Sequence, residues 1–265
     1  MYRYIVRRIL LIIPTVFLAG TLCFFLLRVL PGDVVTALTS EGGASAETKA
    51  KLREDLGLND PIVVQYGRWV LQVAQGNLGY SHFQDRAVSE TVIDKMETTL
   101  TMAVLSMFIS LGVAIPLGII SAVKRGSVYD QIIRIITASA LAIPPFWLGI
   151  LIVVTASQSF NWAPPVLYRP IYEDPLTNLT QMAFPVLTAG LASAAIISRL
   201  TRSMMLEVLY QDYVRTARAK GLLEFTVVVR HGIRNAIIPV ITMCGYHFSY
   251  ILGGVVVIEN VFNLP

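Results

Sequence analysis

Five apolar runs limit what this chain can become. They lie at residues 9–30, 100–123, 132–160, 182–197 and 236–258. Crossing a bilayer takes about 20 apolar residues in a helix. Inside hydrocarbon every backbone polar group must find its partner within the protein, so only helices and closed barrels span. The runs are continuous rather than alternating, which selects helices. Of the 265 residues 55% are hydrophobic and 14% are charged, where soluble domains carry about 25% charged residues. That surplus is too large for one buried core. The expected fold class is an all-α polytopic membrane helix bundle, with residues 1–30 a first transmembrane helix, 31–97 an extracytoplasmic helical region and 98–265 the main bundle.

The first run follows Arg3, Arg7 and Arg8. A signal peptide begins similarly, but its apolar core is about 7–15 residues with a small-residue cleavage site. This run is longer and no such site follows, so it reads as an uncleaved span with Arg28 snorkelling at its end. In the polar region Ser45 can cap a helix that stops at Gly57. Asn59-Asp60-Pro61 restarts a helix that ends before Gly76. The second span is expected to break at Pro116-Leu117-Gly118, and the third to kink at Pro144-Pro145. Four prolines between residues 161 and 181 argue against regular helix there. The fourth span is the weakest, rich in small residues from Gly190 to Ala195 that suit close packing. Residues 199–235 form a second long polar stretch. Cys23 and Cys244 sit in apolar runs and read as packing residues.

Lysine and arginine sort by loop. The N-terminus, the Lys124-Arg125 turn and residues 199–235 are basic, while residues 31–97 hold more acid than base. The basic side is expected to be cytoplasmic, with the N-terminus inside. The net charge of +4 is therefore no footprint of nucleic acid, and the lipid bilayer is the first partner. Five spans would leave Pro265 outside, so the sequence is expected to stop before a further span.

No phosphate loop, HExxH or GxSxG occurs, so no catalytic, cofactor or metal site is expected. Carboxylates deep in the spans are absent, and Arg28 and Arg134 lie close to span ends, which weakens an ion-coupled mechanism. Neutral polar groups remain: Ser106, Ser110, Thr137, Ser139, Ser193, Tyr246, His247, Ser249 and Tyr250. They either bond between helices or line a pathway. His82 falls outside and His231 inside; His247 lies within the fifth span, where an ionisable group is a functional candidate.

The segment Asp212-Tyr213-Val214-Arg215-Thr216-Ala217-Arg218-Ala219-Lys220-Gly221 reads as a short helix. Leu206, Leu209, Tyr210, Tyr213, Val214 and Ala217 recur at helical spacing as one apolar face. Arg215, Arg218 and Lys220 lie off it. Asp212 is a candidate N-cap, and Lys220 with Gly221 a candidate C-terminal pair. Such a helix either lies on anionic headgroups or is gripped by another protein.

Ordered motifs run the whole length: Leu30-Pro31-Gly32-Asp33, Leu56-Gly57-Leu58-Asn59-Asp60-Pro61, Gly76-Asn77-Leu78-Gly79-Tyr80-Ser81, Pro144-Pro145-Phe146-Trp147-Leu148-Gly149, and Arg199-Leu200-Thr201-Arg202 leading into the basic helix. With them the chain resembles the permease subunit of a binding-protein-dependent ABC importer, within the dipeptide/oligopeptide/nickel permease family. Ala217 and Gly221 match the general EAA-x3-G loop of importer permeases, while Arg215 and Thr216 depart from it. Asn235-Ala236-Ile237-Ile238-Pro239 supplies the later hydrophobic-proline pair. The resemblance implies a type I ABC importer transmembrane domain with a sixth span, in a bacterial or archaeal inner membrane. It implies that residues 199–235 hold a coupling loop and that Tyr213 to Lys220 docks on an ATPase. It also implies a homologous second permease, two cytoplasmic ABC ATPases that bind ATP and magnesium, and an extracytoplasmic solute-binding protein. The implied function is ATP-driven uptake of small peptides by alternating access, with nickel, metal chelates or glutathione as alternatives. A membrane anchor with a lipid-binding basic helix is the alternative of another class.

Overall fold

The computed structural model describes residues 2–29, 35, 46–81 and 84–265. The expectations resting on residues 30–33, on Ser45 as a cap and on His82 lie outside them. The chain divides into two units, Met1–Val92 and Ile93–Pro265.

In the first unit α1 (Tyr2–Val29) buries only Phe24, as an apolar helix surrounded by lipid would. The short α2 (Ala46–Asp55) ends where Gly57 takes φ +64°, a left-handed turn that glycine adopts without a side-chain clash. The next helix, α3 (Ile62–Ala74), follows Pro61. It meets α1 through an aromatic cluster of Phe24, Phe25, Tyr66 and Trp69, with ring centroids 5.3–5.9 Å apart. Arg28 donates twice to Gln65 Oε1, at 2.9 and 2.7 Å. The two-residue strands β1 (Tyr80–Ser81) and β2 (Arg86–Ala87) pair antiparallel, a feature absent from the sequence reading.

The helix α4 (Val88–Val123) opens at the division and runs through the second unit. It corrects two expectations. It begins well before residue 100, and Pro116 does not break it. The missing proline donor removes one bond, whereas a true break inside hydrocarbon would leave several polar groups unsatisfied. Gly118 is a contact rather than a breaker. A Cβ there would stand 2.6 Å from the Thr201 Cβ and 2.8 Å from the Ser198 carbonyl oxygen. Gly118→Leu is expected to overpack this crossing and lower stability by about 1–3 kcal/mol, read as a lower unfolding midpoint in detergent. An unchanged midpoint would contradict the close approach.

The third span is two helices, α5 (Val128–Ala142) and α6 (Pro145–Phe160), bent by 98°. The bend is sharper than the expected kink. Pro144 lacks the donor that would continue α5, and Pro145 starts α6 at a position that needs none. The long α7 (Pro175–Leu209) corrects the reading of residues 161–181 and the weak fourth span together. Pro175 sits in its first turn, and Asp174 caps it by accepting from the Thr177 amide at 3.1 Å and hydroxyl at 2.6 Å. Those bonds hold the Asp174 carboxyl below its usual value. Before the cap, Tyr168 donates to Glu97 Oε2 at 2.7 Å, and Ile171 N donates to Glu97 Oε1 at 3.0 Å. Burial and the Glu97 carboxylate push the Tyr168 hydroxyl up to about 12, so it stays a donor.

The remaining elements are α8 (Asp212–Ala219) and α9 (Glu224–Val261). The stretch Val227–Ile233 of α9 is π-helical. The supposed polar stretch 199–235 is thus mostly helix, because α7 outruns the apolar layer at one end and α9 starts before it at the other. Over half of α7's apolar window, 56%, is buried, against 28% for α4 and for α9. Small residues such as Gly190, Ser193, Ala194 and Ala195 explain how neighbours close on it from several sides. Ser106 Oγ donates to Val186 O at 3.4 Å across that contact.

Candidate functional site

At one end of the second unit α7 hands over to α8. Tyr210 closes α7, and Gln211 in an extended conformation precedes α8. Gln211 rather than Asp212 is thus the N-cap residue. Asp212 is the first helical residue, where its charge still favours the helix dipole, and it pairs with Arg215 at 2.7 Å. Lys220 and Gly221 end the helix as expected, with Gly221 at φ +76°.

The apolar face of α8 turns inward. Val214 and Ala217 are 0% and 5% exposed and pack with Met205, Leu209, Val227 and Val228. Val214 and Ala217 thus fasten α8 to its own bundle, while Tyr213 of the same stripe stays 43% exposed. Tyr210 departs from the stripe, at 71% exposed, with its hydroxyl accepting from Arg125 at 3.1 Å. Two polar straps add to the packing. Asn235 Nδ2 donates to the Tyr213 hydroxyl at 2.8 Å. Arg218 donates to Glu224 at 2.8 and 3.1 Å and to the Leu209 carbonyl at 3.3 Å. The Glu224 carboxylate raises the Arg218 guanidinium above its usual value. Left outward are Asp212, Tyr213, Arg215, Thr216, Arg218, Ala219 and Lys220, then Leu222, Leu223 and Phe225, which are 42%, 77% and 78% exposed. This outward set is a mainly polar helix face, with the Tyr213 ring at 43% exposure, bordered by an apolar step.

Beside this end lies a clamp that sequence reasoning missed. Arg202 on α7 donates to both oxygens of Asp130 on α5, each at 2.9 Å. Ser121 Oγ donates to Asp130 at 2.6 Å and Gly126 N at 3.0 Å. Asp130 is 1% exposed. The clamp ties α4, the α4–α5 turn and α5 to the helix that carries α8. The signal was present as an acid directly after a basic turn and an arginine inside an apolar helix.

Further along the unit, Ser193, His247 and Tyr250 line a cavity of about 230 Å³ among apolar neighbours including Ala192, Ile196 and Ile251. His247 is 5% exposed, and its Nδ1 has no partner. These three of the suggested pathway residues converge. The other six are not among the residues lining this cavity: of these, Ser139 is exposed, Tyr246 is 65% exposed, and the Ser249 hydroxyl donates to Gly245 O at 3.3 Å. Thr137 donates to Ile133 O at 2.8 Å, a helix-internal bond. Among the described residues no three of His, Cys, Asp and Glu converge as metal ligands.

Residues 114–265 match the family described as the binding-protein-dependent transport system inner membrane component, and residues 1–103 match its N-terminal part. A putative peptide transport system permease protein of Brucella suis is 37% identical over 261 residues, covering 98% of this chain and 83% of that protein. A glutathione transport system permease of Salmonella paratyphi A is 37% identical over 265 residues, covering 100% of this chain and 84% of its own length. A probable peptide ABC transporter permease of Sinorhizobium fredii is 34% identical over 262 residues, or 99% and 83% of the two chains.

Proposed function

The chain belongs to the inner membrane components of binding-protein-dependent transport systems, and from that premise we propose that it is the permease subunit of an ATP-driven importer of small peptides. The observation that carries the mechanism is the mounting of α8. Its apolar face is sunk into the bundle and its polar face is left outward beside Leu223 and Phe225. Two cytoplasmic ABC ATPases, which bind ATP and magnesium, take up this face. A second, homologous permease completes the pathway, and a solute-binding protein delivers the cargo on the opposite side. The basic end is cytoplasmic, in keeping with Arg125, Arg215, Arg218 and Lys220 there. The fifteen buried residues of α7 support its role as the lever: movement of α8 passes to α7 and rocks the bundle between inward-open and outward-open states. The cavity at Ser193, His247 and Tyr250 is a stretch of the solute pathway, lined by neutral donors and acceptors that fit peptide groups.

Glutathione is a second reading, favoured by the likeness to a glutathione permease. It has the same amide and carboxylate chemistry as a short peptide. Coexpression with ABC ATPase and binding-protein subunits from the same source tests the proposal: a stable complex should hydrolyse ATP faster when peptide-loaded binding protein is added. Gly221→Pro should abolish that stimulation while membrane insertion persists. Proline cannot take φ +76°, so the turn out of α8 is lost. Stimulated hydrolysis at the unsubstituted level would remove the coupling assignment.

A further inference from the structure

Two more guanidiniums lie on the α5–α7 seam, one helical turn inward from the Asp130–Arg202 clamp. Arg134 follows Asp130 by four residues on α5, and Arg199 precedes Arg202 by three on α7, spacings that put each pair on one helix face. The two line a single cleft of about 470 Å³ with Gln131, Ile135, Thr137 and Ala138. Among the described residues neither guanidinium has an ion pair or hydrogen bond, and no carboxylate lines the cleft. The nearest acid along the seam is already spent, since both oxygens of Asp130 are taken by Arg202, Ser121 and Gly126.

Both residues are exposed, so an anion entering the cleft can meet two guanidiniums that no carboxylate neutralises. The guanidinium fork fits a planar oxyanion in two-point fashion. The same two helices continue from this cleft to Ala140 and Leu141 on α5 and to Ala192, Ser193 and Ile196 on α7, all lining the His247 cavity. Cleft and cavity therefore follow one another along a single seam.

We propose that the Arg134–Arg199 cleft is an oxyanion site, occupied during turnover by the free carboxylate of the peptide solute as it leaves the His247 cavity. The proposal rests on the peptide-importer reading and adds a requirement that reading does not make: the solute must carry an acidic end. A phospholipid phosphate offers the same chemistry and is the competing source.

The complete importer is placed in nanodiscs of phosphatidylcholine, with or without phosphatidylglycerol, and treated with phenylglyoxal. Modification of each arginine is followed by mass spectrometry, with Arg7 near the start of α1, which is exposed, as internal reference. Trialanine is expected to slow modification of Arg134 and Arg199 about tenfold, and trialanine amide to leave it unchanged. Arg134→Gln with Arg199→Gln should then remove the advantage of the acid over the amide in stimulating ATP hydrolysis. Equal protection by acid and amide, or protection that follows phosphatidylglycerol alone, overturns the assignment to the solute carboxylate. Peptide-stimulated hydrolysis in the same nanodiscs separates the two readings. Stimulation without protection sinks the cleft and keeps the importer; absence of stimulation sinks both.

Discussion

Asp130→Ala is expected to destabilise the bundle by about 3–5 kcal/mol, because it leaves the Arg202 guanidinium uncompensated. The Arg202 side chain is 23% exposed and that of Asp130 is 2% exposed, so water can replace little of what is lost. The Ser121 hydroxyl and the Gly126 amide lose their acceptor in the same step, each an unsatisfied donor. Replacing both partners is a different experiment. Asp130→Leu with Arg202→Met removes both charges, and apolar substitutes of similar volume often restore stability. The expected order of unfolding midpoints in detergent is native chain highest, the double variant below it because Ser121 and Gly126 still lack their acceptor, and both single variants lowest. A single Asp130→Ala variant melting with the native chain would show that the pair is hydrated and contributes little. The double variant separates stability from function. If it folds but couples poorly, the charges serve to fix α5 against α7 during the transport stroke; if it couples normally, the clamp is structural only.

That clamp also marks the limit of what the sequence disclosed. Apolar runs were enough to identify the helices, since length and hydropathy are local properties. Their ends were not, because α4, α7 and α9 extend past the apolar layer and stop at caps such as Asp174 rather than at a change in hydropathy. Helical spacing revealed the stripe of Val214 and Ala217. Periodicity says that a face is apolar but not what covers it, and the cover here is the chain's own Met205, Leu209 and Val227. Asp130 and Arg202 are 72 residues apart. Nothing local joins them, and only the antiparallel course of α5 and α7 makes them neighbours. His247, Ser193 and Tyr250 were each visible as polar residues in apolar runs, whereas their convergence on one cavity depends on how α7 and α9 pack. Ser139, Ser249 and Tyr246 carried the same signal and lie outside the cavity's lining.

On the proposed importer reading, with Val214 and Ala217 of α8 facing inward, the apolar contribution to ATPase docking would fall to the step that follows the helix. Leu223→Asp with Phe225→Asp is therefore expected to weaken ATPase association by about two to three orders of magnitude, taking roughly 2 kcal/mol for each apolar anchor lost. The folded bundle should be unaffected, since both side chains are already more than three-quarters exposed, at 77% and 78%. Val214→Asp makes the contrasting case. Val214 is 0% exposed, so a carboxylate there would be buried without a partner, and α8 would detach from Met205 and Leu209. That variant should lose thermal stability and ATPase binding together, whereas the surface pair should lose binding alone. Quantifying ATPase retained on the affinity-purified permease, alongside its unfolding midpoint, distinguishes the two. Full ATPase retention by the Leu223, Phe225 variant would move the contact back to Arg215 and Lys220, and affinity would then have to be electrostatic and fall steeply with added salt.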